Sequence, residues 1–202
     1  MGNVNLAKKK QRSNPHRHET DERVERSKKL VLQATYELLT KSGLSGVSVD
    51  EVSRRSGVAK TTIYRHWPSR ASLLINTCAQ LSSKPQAPDT GTLKGDLEAL
   101  TLLMVKRLHL PWSTALPSII DAAERDKELS QIHSNIHAQM RSAFGVVIER
   151  GQKRGEVSSK QDPSELIASI LGPLFYRRWF SRETLDETFA MRVVERATRD
   201  NG

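Results

Sequence analysis

Apolar residues recur at intervals of three and four along most of this 202-residue chain. That spacing places them on one face of an α-helix, and no stretch shows the strict alternation typical of a β-strand. The pattern therefore predicts an all-α protein. The first helix is expected over residues 22–42, because Gly43 ends the periodic run. The positions that this helix should bury are Val31, Ala34, Thr35 and Leu38.

Residues 47–74 predict two short helices separated by a turn and followed by a third helix. Ser48 and Glu51 have the spacing of a capping box, so the first of these helices should begin at Ser48. Gly57 can adopt the positive φ that commonly ends a helix. Two helices joined in this way form a helix-turn-helix, whose second helix can enter the major groove of DNA.

The second helix of this unit is predicted over residues 60–67, and its two sides differ. Ile63 and Trp67 are four residues apart and should be buried together. The side chains expected to face outwards are Thr62, Tyr64, Arg65 and His66. A helix of this kind packs on a core and leaves hydrogen-bonding groups available to base edges.

A linker divides the chain after the helix that follows Ser69. That helix should contribute Leu73, Leu74 and Leu81 to the core, and residues 84–95 then contain two prolines and two glycines. We therefore predict a helix-turn-helix domain over residues 23–84 and a second helical domain over residues 92–202.

Five helices are predicted in the second domain. They are expected over residues 96–110, 112–124, 127–154, 162–179 and 184–194. Asp162 followed by Pro163 is typical of a helix start, and Thr184 with Glu187 has the spacing of a second capping box. The apolar stripe of the longest helix comprises Leu129, Ile132, Ile136, Met140, Phe144 and either Val147 or Ile148.

Charge is distributed unevenly between the two parts. Residues 1–84 contain 16 Lys and Arg against 7 Asp and Glu, whereas residues 85–202 contain 16 of each kind. The whole excess of +9 therefore lies in the part that holds the helix-turn-helix, as expected where Lys and Arg meet phosphates. The alternative, a basic surface without a function, is disfavoured by this coincidence.

The first 22 residues are polar and basic, and they contain almost nothing to bury. Their cations include Lys8, Lys9, Lys10, Arg12 and Arg17. We expect this segment to be a disordered arm. Two interpretations stay open: extra contacts with phosphates or the minor groove, or a solvated tail.

Several classes of protein are disfavoured. The single cysteine, Cys78, allows no internal disulfide, and no stretch approaches the roughly 20 apolar residues of a membrane span, so a cytoplasmic protein is expected. No phosphate-binding glycine loop or nucleophile elbow is present, so we expect neither an enzyme nor a cofactor. His133 and His137 are four residues apart, but a zinc site needs more ligands, which favours an exposed pair over a metal site.

The run Tyr64-Arg65-His66-Trp67, followed by Pro68-Ser69-Arg70, resembles the DNA-binding signature of the TetR family of transcriptional regulators. The resemblance covers roughly residues 24–84 and is looser beyond them. Three positions depart from the family pattern: Ala59 stands where a capping Ser is common, Thr61 where Gly is common, and Trp67 where Phe is common. The departure at Thr61, together with Arg65, bears on which DNA sequence is preferred.

The resemblance implies a homodimeric transcriptional regulator that binds a double-stranded palindromic operator. Repression is expected, and activation is the alternative. Thr61, Thr62 and Arg65 are expected at base edges, and Tyr64 and His66 at phosphates. Ser48, at the start of the first helix of the helix-turn-helix, and Arg70, at the start of the helix after the recognition helix, are also expected at phosphates. For Arg54, Arg55 and Lys60, solvated charge is the alternative to a DNA contact.

The second domain is expected to dimerise. Its last two helices are apolar on more than one stripe, which fits either an internal helix of a bundle or a helix shared between its own core and a second subunit. In the TetR family the last two helices form the dimer interface. The residues expected there are Ile167, Ile170, Leu171, Leu174, Phe189 and Val193.

The same resemblance implies a pocket for a small apolar or amphipathic effector in the second domain. For any single residue, an ordinary core position is the alternative. The residues expected to line the pocket are Met104, Leu108, Trp112, Leu116, Ile120, Ile136, Met140, Phe144 and Phe175. The competing hypothesis for the whole chain is an architectural DNA-binding protein without an effector, whose second domain only dimerises.

Overall fold

The computed structural model describes residues 15–81 and 86–199. Within these residues there are nine α-helices and no strand, which confirms the all-α prediction. The helices are α1 Pro15–Ser42, α2 Val49–Ser56, α3 Lys60–His66, α4 Arg70–Leu81, α5 Leu93–Leu108, α6 Leu116–Ala123, α7 Lys127–Lys153, α8 Pro163–Phe175 and α9 Glu187–Arg199. Short 3₁₀ turns precede α2 and α6, at Leu44–Gly46 and Pro111–Ala115, and a π-helical turn, Tyr176–Ser181, extends α8. No helix in the described part of the chain is long and apolar enough to cross a membrane.

Helix α1 is longer than its apolar stripe suggested. It begins at Pro15, so residues 15–22, which were expected to belong to a disordered arm, are helical. Proline is favoured in the first turn of a helix, where its missing N–H is no loss, and this explains the early start. The basic residues Lys8, Lys9, Lys10 and Arg12 lie outside the described residues, as does the side chain of Arg17.

The first core lies inside the bundle of α1 to α4, which we call the head. The residues predicted to be buried in α1, with Ile63, Trp67, Leu73 and Leu74, are all buried. The prediction for Leu81 concerns a side chain outside the described set. This core does not stop at the linker. It continues into apolar residues of the second domain: Ala115, Leu116, Ile119, Leu129, Ile132 and Ile136. The head therefore shares its core with α6 and the first half of α7.

The second core is formed by α5, α8, α9 and the remaining half of α7. It contains most of the residues that were expected at a dimer interface. Ile170 and Leu174 are fully buried inside the protomer, so the prediction that they face a second subunit is wrong. Ile167, Leu171 and Val193 also lie in this core, and Phe189 packs against it while partly exposed. Both apolar stripes of α8 are therefore buried against residues of the same protomer.

Several helix limits differ from the sequence prediction because a different side chain forms the cap. Helix α5 begins at Leu93, where the Thr92 hydroxyl accepts from the Gly95 N–H at 3.1 Å. Helix α9 begins at Glu187, with the Asp186 carboxylate accepting from the Phe189 N–H at 2.7 Å, so the capping box predicted at Thr184 is wrong. The Asp162 cap of α8 is confirmed.

Candidate functional site

The turn between α2 and α3 is built from local hydrogen bonds. The Ser48 hydroxyl accepts from the Glu51 N–H at 3.1 Å, which confirms Ser48 as the N-cap of α2. Gly57 ends this helix at φ +71°, a conformation that a residue with a Cβ rarely adopts. The Ser53 hydroxyl then donates to the Val58 carbonyl at 2.8 Å, which fixes the start of α3 relative to α2.

Helix α3 is anchored on one side and open on the other. Ile63 and Trp67 are buried, and the indole N–H of Trp67 donates to the Asn76 side chain of α4 at 3.1 Å. The opposite side carries the polar residues that the sequence placed there. Thr61, Tyr64 and Arg65 are exposed, and Thr62 and His66 are half-buried. The helix therefore presents hydroxyl, phenol and guanidinium groups on one continuous surface.

The cations of the helix-turn-helix differ in whether a carboxylate already neutralises them. Lys60 pairs with Asp50, Arg54 with Glu51, and Arg55 with Glu37 at 3.7 Å. Among the described residues Arg65 makes no ion pair and no side-chain hydrogen bond, and it is exposed. Its fork of five donors is therefore free to bind a guanine edge or a phosphate.

Arg70 points inwards. Its Nε donates to the Val47 carbonyl at 2.6 Å, and its Nη2 donates to the Leu44 carbonyl. The sequence predicted a phosphate contact for this guanidinium, whereas the structure shows it bracing the loop that leads into α2. The reason is tertiary, because the start of α4 packs beside a loop 23 residues away in the sequence.

A cavity lies where the two cores meet. Its lining comprises Met104, Arg107, Leu108, Trp112, Leu116, Ile136, Gln139, Met140 and Phe175. Seven of these are residues that the sequence placed around a ligand pocket. Some belong to the head core, others to the second core, and Met140 contacts both. The cavity volume is about 20 Å³, room for one water molecule, so a larger molecule would require its walls to move.

Two predicted lining residues do not line the cavity, and two others were missed. Ile120 is an exposed residue of α6, and Phe144 is buried in the second core. Arg107 and Gln139 were missed because the prediction followed the apolar stripes of α5 and α7, and both residues are polar. The usable signal would have been helical spacing, since Arg107 lies three residues after Met104 and Gln139 three residues after Ile136.

Polar contacts connect the wall of the cavity to the head. The Ser118 hydroxyl of α6 accepts from the Leu44 N–H at 3.2 Å, and the Thr114 hydroxyl donates to the Thr40 carbonyl at 3.1 Å. Gly43, at φ +64°, allows this approach, because a Cβ there would lie 3.2 Å from the Ser118 hydroxyl oxygen. Leu44 is thus held by Ser118 through its N–H and by Arg70 through its carbonyl.

Exposed aromatic residues continue the surface of α8. Tyr176 and Phe180 stack with ring centroids 6.0 Å apart and are 59% and 78% exposed. On the α8 surface before them lie the small exposed residues Ala168, Ser169 and Gly172. A Cβ on Gly172 would meet nothing within 4 Å, so packing inside the protomer does not explain this glycine.

The described residues contain no cluster of His, Cys, Asp and Glu that could hold a metal ion. His133 and His137 stack on the exposed side of α7, with ring centroids 6.3 Å apart. Cys78 is buried, and the loss of solvation raises the pKa of its thiol to about 11, so the thiol stays protonated at neutral pH.

Comparison with known proteins gives consistent results for both parts of the chain. The model for "Bacterial regulatory proteins, tetR family" matches residues 31–77, and that for "Tetracyclin repressor-like, C-terminal domain" matches residues 87–197. The HTH-type transcriptional regulator AqdR of Rhodococcus erythropolis is 32% identical over 152 residues, 75% of this chain and 73% of that protein. The DNA-binding transcriptional repressor TetR of Mycobacteroides abscessus is 28% identical over 168 residues, 82% of this chain and 88% of that protein.

A similar fold is found among solved structures. The crystal structure of the TetR family transcription regulator SCO0332 superposes with a TM-score of 0.66 at 26% identity, covering 86% of this chain and 97% of that one. The C-terminal family model matches more than half of the chain, and the N-terminal model includes α3 with its exposed polar surface. The chain belongs to the TetR family of helix-turn-helix transcriptional regulators.

Proposed function

We propose that this chain is a repressor that binds a palindromic DNA operator as a homodimer and releases it when a small apolar or amphipathic molecule enters the cavity. The observation that carries the proposal is the position of the cavity. It lies between the two cores, and one of its walls is α6, which is hydrogen-bonded to the loop before α2. Repression is supported by the similarity to a DNA-binding repressor.

On the operator, α3 enters the major groove with its exposed side towards the bases. Thr61, Thr62 and Arg65 contact base edges, and Tyr64 and His66 contact phosphates. Ser48 lies at the N-terminus of α2, where the helix dipole favours a phosphate. Lys60 pairs with Asp50 at the surface, so a contact with DNA would have to replace that ion pair.

Ligand entry weakens this complex by moving α6. A molecule larger than the cavity displaces Leu116, and Ser118 lies two residues further along the same helix. Movement of Ser118 shifts Leu44 and, through Arg70 and Val47, the start of α2. The ligand acts because it binds more tightly to the expanded form than to the form that fits DNA.

A footprint of the purified protein on DNA flanking its own gene tests the proposal. We expect protection of one palindrome, with half-sites about one helical turn, roughly 10 base pairs, apart. Coating that is sensitive to salt and independent of sequence would contradict it and favour an architectural DNA-binding protein.

Dimerisation is proposed to use the exposed surface of α8 and the aromatic pair that follows it. Phe180→Arg should raise the dimer dissociation constant at least about tenfold, because a partner would have to bury an unpaired charge in place of a ring. Sedimentation velocity over a concentration series measures this shift.

Leu30→Arg is the matched control, since Leu30 is also a large apolar residue that is exposed, but it lies on α1. We expect this control to dimerise like the wild-type protein. Unchanged dimerisation of Phe180→Arg would show that the aromatic pair lies outside the interface.

The proposed connection from the cavity through α6 to the head can be tested without knowing the ligand. Leu116→Phe overfills the 20 Å³ cavity and should lower operator affinity about fivefold, since overpacking displaces the helix that carries the enlarged residue. Ser118→Ala removes the contact between α6 and Leu44, so the effect of Leu116→Phe should be smaller in that background. Fluorescence anisotropy with labelled operator measures all four proteins of this cycle. Strictly additive losses would mean that Ser118 does not transmit the displacement.

A further inference from the structure

Two polar side chains interrupt the otherwise apolar wall of the cavity. Arg107 lies in the last turn of α5, and its guanidinium carbon is 5.7 Å from the centre of the Trp112 ring. Gln139 lies on α7, and its side-chain oxygen Oε1 is buried and accepts no hydrogen bond from the described residues. The remaining lining residues provide aliphatic, thioether and aromatic surface.

The electrostatics of the cavity favour a negative ligand. Among the described residues that line it, Arg107 is the one charged group, and none is acidic. Loss of solvation lowers the pKa of Arg107 below its usual value, yet a guanidinium stays protonated at neutral pH. A partly desolvated cation binds an anion more strongly than an exposed cation does, because water screens the attraction less.

Gln139 adds a hydrogen-bonding requirement. A buried amide oxygen without a donor costs free energy, which a ligand carrying an N–H or O–H group would recover. Met104 and Met140 have flexible thioether side chains that can reorient as the cavity opens, and Trp112 and Phe175 offer flat surfaces.

We propose that the effector is an amphipathic organic anion. Its apolar, planar body lies among the aromatic and thioether side chains, its carboxylate or similar group accepts from Arg107, and an N–H or O–H donates to Gln139. This inference rests on the proposed function, since it assigns the chemistry of the ligand that the cavity takes.

The test uses the full-length protein and three probes that share one ring system: 2-naphthoate, 2-naphthamide and 2-naphthylmethylammonium. Calorimetry measures binding, and anisotropy with labelled operator measures release of DNA. We expect 2-naphthoate to bind about tenfold or more tightly than the amide, and the ammonium to bind most weakly. The carboxylate should also release the operator at the lowest concentration.

Substitutions then assign the two polar contacts. Arg107→Met should reduce the affinity for 2-naphthoate below that for the amide, because the carboxylate then has no partner in the cavity, and should change the affinity for the amide little. Gln139→Leu should weaken the amide several-fold, because the amide N–H loses its acceptor, and leave 2-naphthoate nearly unchanged. Lys106→Met, which removes the neighbouring exposed cation, is the control and should behave like the wild-type protein. Thermal unfolding and operator binding of each variant verify that it folds.

The outcomes separate this inference from the proposed function. If the amide or the ammonium binds as well as 2-naphthoate, or if Arg107→Met leaves 2-naphthoate binding intact, the ligand is not selected as an anion. Operator release by those probes would still support a ligand-responsive repressor. If no probe binds a protein that protects its operator, this inference fails, and the effector part of the proposed function is then decided by the Leu116→Phe and Ser118→Ala cycle.

Discussion

Arg65→Ala should lower operator affinity by about ten- to a hundredfold for each half-site that the dimer contacts, and should relax the base preference at one position of each half-site. A guanidinium that donates two hydrogen bonds to a guanine edge contributes roughly 1–3 kcal/mol of discrimination, and a tenfold change corresponds to about 1.4 kcal/mol. Arg65 is suited to this role because it is exposed and has no ion-pair partner among the described residues. Competition binding with a library of operator variants measures both the loss and the change in preference.

Arg54→Ala is the matched control, because Arg54 lies on the same helix-turn-helix but is paired with Glu51. We expect its operator affinity to change little. The result that would contradict a base contact is a uniform loss for all sequences with a shallower dependence on salt, which is the behaviour of a phosphate contact.

The exposed side of α3 could be predicted because it depends on local sequence. Buried Ile63 and Trp67 fix the orientation of the helix, and the polar residues then face outwards. The state of each cation could not be predicted in the same way. Lys60 is neutralised by a residue of α2 and Arg55 by a residue of α1, and only the folded structure brings these pairs together.

The cavity and the predicted dimer surface show two different limits of hydrophobic periodicity. Apolar spacing located most of the cavity lining, since the stripes of α5 and α7 converge there, but it passed over Arg107 and Gln139. On α8 the periodicity correctly indicated burial on more than one side. It could not show whether each side faced the same chain or a partner, and Ile170 and Leu174 belong to the protomer's own core.

Arg70→Met should destabilise the head by about 3 kcal/mol, because it removes two charge-assisted hydrogen bonds from partly buried carbonyls. For a chain of this length, a loss of that size lowers the melting temperature by roughly 6–12 °C. Methionine keeps an apolar stem of similar length, so the change reports mainly on the guanidinium. Thermal unfolding followed by circular dichroism measures the effect.

Arg55→Met provides the comparison for Arg70→Met, since Arg55 forms a surface ion pair with Glu37, of a kind worth about 0–1 kcal/mol. We expect its melting temperature to stay close to that of the wild-type protein. The two hypotheses for Arg70 then differ in their readouts. If Arg70 braces the loop, Arg70→Met gives a less stable head. Operator binding then weakens only because the loop at Leu44 and Val47 loosens, and its dependence on salt concentration is unchanged. A phosphate contact predicts wild-type stability, weaker binding to every sequence and a shallower salt dependence, and that combination would restore the role that the sequence first suggested.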